Sequence, residues 1–88
     1  MRMKQHIVLG IHITDRLRRA EDVQRVLTEH GRLIRTRLGL HETDRRAGSP
    51  NGLLLLELVD DPAGAAALAR SLRRIRGIAV KSMVFGHP

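Results

Sequence analysis

Between Ile7 and Ile13 every second residue is a large aliphatic, with Leu9 and Ile11 completing the series. A period of two sends all four side chains to one side of an extended strand and leaves His6, Val8, Gly10 and His12 on the other. Such a strand needs a cover on one side, and the sequence supplies it directly. Leu17, Ala20, Val23, Val26, Leu27 and His30 recur at helical spacing. Thr14-Asp15 offers an N-cap, and Gly31 stands where a left-handed residue commonly ends a helix. A second strand is expected over Leu33–Leu40. The polar stretch His41–Gly52 reads as a loop, long for a hairpin and mobile at its tip, in which Asn51-Gly52 suits a tight reversal. Leu53–Val59 is strand three. Asp61 then caps a second helix with Pro62 in its first turn. Ala65, Leu68, Ala69, Leu72 and Ile75 form its apolar stripe, Gly77 ends it, and Ile78–Val84 is strand four.

The order is β-α-β-β-α-β within a single domain, residues 1–88. The expected fold class is α+β, ferredoxin-like: a four-stranded antiparallel sheet with both helices on one face and strands one and three in the centre. A chain of this length buries a thin core, which a partner subunit would supplement. The absence of cysteine excludes a disulfide scaffold, a thiolate metal site and a cysteine nucleophile. No apolar run approaches the length of a bilayer span. The basic start Met1-Arg2-Met3-Lys4 leads into a segment broken by His12 and Asp15, unlike a secretory leader, so the expected location is cytoplasmic.

Sixteen Lys and Arg against nine Asp and Glu give a net charge of +7, which favours anionic partners. Yet Phe85 is the sole aromatic among Phe, Trp and Tyr. Single-strand binders stack bases on aromatic rings, so nucleic acid binding is expected to be weak, non-specific and salt-sensitive at most. Arg70, Arg73 and Arg74 share a face at i, i+3, i+4 spacing, and read as solvated cations near a helix C-terminus.

With the helices on one side, the other side of the sheet is open. Alternation assigns to it Val8, Gly10, His12, Arg35, Arg37, Gly39, Leu53, Leu55, Glu57, Ala79, Lys81 and Met83, and assigns Ile34, Thr36, Leu38 and Leu40 to the helix side. Strand three is apolar on both faces, as a strand buried on both sides should be. The open face is therefore expected to meet another copy of the chain. The candidate ligand or interface residues on it are His12, Arg35, Arg37, Leu55, Glu57 and Met83. Two arginines on strand two need counter-charges, and Glu57 next to them satisfies one of the two.

Nothing points to catalysis. The serines and threonines lie in no nucleophile elbow, Asp60-Asp61 reads as helix capping, and no phosphate-cradling glycine motif occurs. The five histidines, His6, His12, His30, His41 and His87, do not converge within one chain, so no metal site is assigned; His12 with a partner's histidine is the one arrangement left open. No cofactor is implied.

Three stretches carry a family resemblance. They are Ile11-His12-Ile13-Thr14-Asp15-Arg16, then Leu27-Thr28-Glu29-His30-Gly31-Arg32-Leu33-Ile34-Arg35-Thr36-Arg37-Leu38-Gly39-Leu40, and Gly77-Ile78-Ala79-Val80-Lys81-Ser82-Met83. Together they resemble the small ACT-like family of iron-only hydrogenase system regulators, similar in fold to the C-terminal domain of the nickel-responsive repressor. The likeness spans about Lys4 to Val84, apart from the Arg45–Asn51 loop. It implies a lone ACT-like domain and brings no catalytic residues with it. Amino-acid-binding ACT domains often carry a glycine between strand one and helix one, where this chain has Thr14-Asp15-Arg16.

The leading expectation is a non-enzymatic regulatory or ligand-sensing ACT-like module. It would act as a homo-oligomer, take a small anionic effector at the subunit interface, and work through a partner protein, with no membrane role. The alternatives are a basic nucleic-acid-binding ferredoxin-like domain, or a small dimeric-barrel-type enzyme with His12, Arg37 and Glu57 as its polar lining.

Overall fold

The computed structural model describes residues 4–40 and 51–87. The expected loop over His41–Pro50, with its tip, lies outside the described residues. The elements are β1 (Lys4–Ile13), α1 (Arg16–Glu29), a 3-10 turn (Gly31–Leu33), β2 (Ile34–Leu40), β3 (Gly52–Leu58), α2 (Pro62–Arg73) and β4 (Ile78–His87). The strands form one antiparallel sheet in the order β2-β3-β1-β4, so β1 and β3 are central as expected.

The helix-side row of β1 is buried, as its period requires, and Leu54, Leu56 and Leu58 of β3 lie beside it. Val23, Val26 and Leu27 of α1 and Ala65, Leu68, Ala69 and Leu72 of α2 pack on this layer, with Val80 of β4 closing it. The core is wholly aliphatic, and no buried polar side chain occurs among the described residues. No helix among them is long and apolar enough to cross a membrane.

The helix ends follow their own chemistry. Asp61 caps α2, its Oδ1 accepting from the Gly64 N–H at 3.0 Å, with Pro62 at the first helical position. Asp15 holds the N-cap position of α1 differently. Its backbone is left-handed (φ 60°, ψ 59°) and its side chain makes no capping bond; the carboxylate instead meets Arg18 Nε at 3.5 Å. Asp15 thus adopts, in the β1–α1 turn, the conformation that glycine ordinarily supplies, which short polar side chains tolerate. Gly31 is not the left-handed terminus expected of it. The His30 N–H and ring Nδ1 both approach Val26 O, and the chain runs on through a 3-10 turn closed by Leu33 N–H to His30 O. Among the described residues the left-handed glycine is Gly77 (φ 83°), whose carbonyl accepts from Thr14 N–H at 2.9 Å and joins the end of β1 to the start of β4. Gly52, expected in a reversal with Asn51, already lies in β3 opposite Ile13.

Candidate ligand and assembly face

The ladder registers fix which residues share the open face, because directly paired residues point to the same side. β1 and β4 pair without interruption from Lys4↔His87 to Ile13↔Ile78. His6, Val8, Gly10 and His12 therefore stand beside Phe85, Met83, Lys81 and Ala79. On the other flank, His12, Gly10 and Val8 stand beside Leu53, Leu55 and Glu57 of β3.

β2 departs from the alternation read in its sequence. Its register shifts between Ile34 and Thr36, so Arg35 is the extra residue of a β-bulge and has no partner in the ladder. Ile34 pairs with Leu58 on the helix side. Beyond the bulge Thr36 pairs with Glu57 and Leu38 with Leu55, both on the open side, and the ladder ends at Leu40 paired with Leu53. The Thr36 hydroxyl donates to Glu57 Oε1 at 3.0 Å, which could not happen across the sheet. This corrects the placement of Arg37 and Gly39. They pair with Leu56 and Leu54 and belong to the helix side, where Arg37 is exposed at the sheet edge. Arg35 is exposed at the bulge. A bulge inverts every side chain beyond it, and Arg35-Thr36-Arg37 holds no aliphatic residue to betray the inversion. Glu57 therefore faces Thr36, and His12, Arg37 and Glu57 cannot line one pocket.

The open face is more apolar than the sequence indicated. Leu38, Leu53, Met83 and Phe85 are 52, 40, 55 and 59% exposed, with Val8 and Leu55 half-buried between them. Leu38 was hidden by the bulge, and Phe85 by a β4 that runs three residues past Val84. Within this surface Gly10, His12, Leu53, Ala79 and Lys81 line a shallow depression of about 250 Å³. Gly10 adds room to it: a Cβ there would meet only Leu55 Cδ2 at 3.7 Å and Lys81 O at 3.9 Å, ordinary contacts. Of the six candidate residues, His12, Leu55, Glu57 and Met83 share this face. Lys81 is the cation nearest the hollow.

The face also carries a stacked pair of imidazoles, His6 and His87, with centroids 4.7 Å apart and planes inclined by 23°. Among the described residues no group of three or more His, Asp or Glu side chains is placed to hold a metal ion.

Solved structures place this architecture. An uncharacterized protein, TM1266 from Thermotoga maritima, is 26% identical and superposes with a TM-score of 0.77 over 93% of this chain and 98% of its own. The ACT domain from GTP pyrophosphokinase of Chlorobium tepidum gives a TM-score of 0.66 at 17% identity, over 92% of this chain and 99% of that one. CPII, a nitrogen regulatory PII-like protein from Thiomonas intermedia K12 bound to ADP, AMP and bicarbonate, gives 0.59 at 11% identity, over 98% of both chains. The fold is ACT-like and ferredoxin-like. No protein-family model matches the sequence, and no curated protein matches it.

Proposed function

We propose that the chain is a non-enzymatic regulatory module, of the kind found among iron-only hydrogenase system regulators, that works as a homo-oligomer through the open face of its sheet. The observation that carries this reading is the apolar surface around Leu38, Leu53, Leu55, Met83 and Phe85 on a sheet whose other face is already covered. A contiguous surface of this composition is costly to leave in water and meets its like in a second copy. Two such faces, stacked as packed sheets stack, would enclose the hollow beside Gly10. Lys81 and His12 would then meet a small anionic effector, and its binding would alter how the sheets pack for a partner protein to read. The solved ACT domain and the nucleotide-bound PII-like protein agree with such a role at the level of fold. The separation of Arg37 from His12 and Glu57 removes the polar lining on which the enzyme reading relied.

Light scattering at micromolar concentration tests the assembly. The expected mass is at least twice the 9.9 kDa of one chain. Leu55→Glu should return it to a single chain, because the assembled face would have to desolvate a carboxylate with no partner. A wild-type protein that stays at the single-chain mass, or a Leu55→Glu variant that assembles as before, would overturn the proposal. Mass spectrometry of the native assembly would then look for a retained anion.

A further inference from the structure

The helix layer holds a second feature, remote from the open face. Along α1, Arg19, Asp22, Arg25 and Glu29 fall at helical spacing on one stripe, and this stripe borders the end of α2 and the turn beyond it, which bring Arg74 and Arg76. The six side chains line a cleft of about 530 Å³, floored by Val26, which is buried, and Ile75, which packs against the core. Ser71 adds a hydroxyl to the wall. Four guanidinium groups thus face two carboxylates. The nearest contact between them is loose: Arg25 Nη1 lies 3.5 Å from Asp22 Oδ1, with Arg25 exposed and Asp22 partly so. Exposed pairs of this kind are weak and leave the arginine available to a better partner. The end of α2 would oppose an anion through its free carbonyls, yet Leu72 O already accepts from Ile75 N–H at 3.1 Å.

The chemistry of the ligand follows from the shape and the donors. Guanidinium forks match phosphate oxygens two at a time, and several of them in one cleft suit an anion with several phosphate groups. The cleft is of the size of small-molecule sites and far larger than a single phosphate needs. Two neighbouring helix arginines are engaged elsewhere. Arg73 turns to the opposite flank of α2, where its Nη2 donates to Val80 O at 3.1 Å, and Arg18 pairs with Asp15. The one Phe lies on the open face, so the cleft offers no ring on which a base could stack. We infer that this cleft binds an oligophosphate anion, inorganic or the phosphate chain of a nucleotide, through Arg19, Arg25, Arg74 and Arg76.

Calorimetric titration of the full chain with inorganic triphosphate, ATP, adenosine and an oligouridylate tests this. Saturable binding of triphosphate, one per chain, is expected, with adenosine silent. The double variant Arg74→Gln/Arg76→Gln should weaken it by about tenfold or more, whereas Arg70→Gln, on the exposed surface of α2 outside the cleft, should change it by less than about twofold. Circular dichroism melts of both variants should match the native protein, since all three arginines are exposed. Equal affinities for triphosphate and ATP would assign the site to the phosphate chain alone; markedly tighter ATP would assign it to a nucleotide. The proposal fails if triphosphate shows no saturable binding. It fails also if Arg70→Gln costs as much as the double variant, which would mean net charge rather than a site. Tighter binding of oligouridylate than of either phosphate compound would replace it with a nucleic-acid surface.

Discussion

Strand β3 has two faces of the same composition and opposite fates. Leu54, Leu56 and Leu58 are sealed beneath the helices, Leu56 completely, while Leu53, one residue away from Leu54, is 40% exposed and Leu55 half-buried. Neither residue type nor strand position distinguishes the two rows. What differs is the cover: α1 and α2 both pack on one side, as the usual right-handed crossover places them, and the described residues hold no third α-helix for the other. Hydrophobicity in a sheet therefore reports a demand for cover, and the fold shows which part of that demand the chain meets by itself.

The largest expected effect tests this contrast directly. Leu56→Ala removes a side chain with no access to solvent and should cost about 3 kcal/mol of folding free energy, measured by urea denaturation. Leu53→Ala, one strand position from Leu54 but facing outward, should cost less than about 1 kcal/mol once the protein is diluted to single chains, since 40% of Leu53 is already exposed there. Equal costs in the diluted protein would mean that the open face is supported from within, and the contrast between the faces would be lost.

A smaller effect belongs to the junction that closes the helix-covered layer. Gly77 sits at φ 83°, and a Cβ there would lie 3.1 Å from Thr14 O. Gly77→Ala should destabilise by about 1–2 kcal/mol, the cost of a left-handed backbone for a residue with a Cβ together with the crowding of the β1–β4 start. The same substitution at Gly10 meets ordinary contacts only and should be near neutral for folding.

These positions also mark where the sequence was informative. In β1 Ile7, Leu9, Ile11 and Ile13 run in an unbroken period of two, and in β3 Glu57 marks the outward row of an otherwise apolar run, so faces and core could be read from the sequence, and the helix stripes of α1 and α2 followed from their 3–4 spacing. Asp61 and Pro62 announced the start of α2 for the same local reason. β2 was different. After Ile34 its residues Arg35, Thr36 and Arg37 are all polar, so an inserted residue costs no visible mismatch, and the hidden bulge exchanged Arg37 for Leu38 on the open face. The cleft between the helices was illegible in another way. Arg19 and Arg74 lie far apart in sequence, and only the packing of α1 against the end of α2 brings their side chains to one place. The stripe formed by Arg70, Arg73 and Arg74 was real as a helical spacing but was divided by its surroundings, Arg73 going to β4 and Arg74 to the cleft.

The smallest expected effect sits at the bulge and sharpens the comparison of the faces. The Thr36 hydroxyl reaches Glu57 across the first pair after the register shift. In the single chain this bond is exposed, and solvent competes for both groups, so Thr36→Val should cost no more than about 1 kcal/mol. The valine keeps the β-branched shape that suits the strand, so the loss should come from the hydrogen bond and not from propensity. A double-mutant cycle with Glu57→Ala isolates the pair. Measured in diluted single chains, the coupling should be small. Measured where the chain assembles, it should grow, because a second copy would exclude the water that now competes for the carboxylate. A coupling unchanged by assembly would place Glu57 outside the interface and confine the buried part of the open face to Leu53, Leu55 and the residues around Gly10.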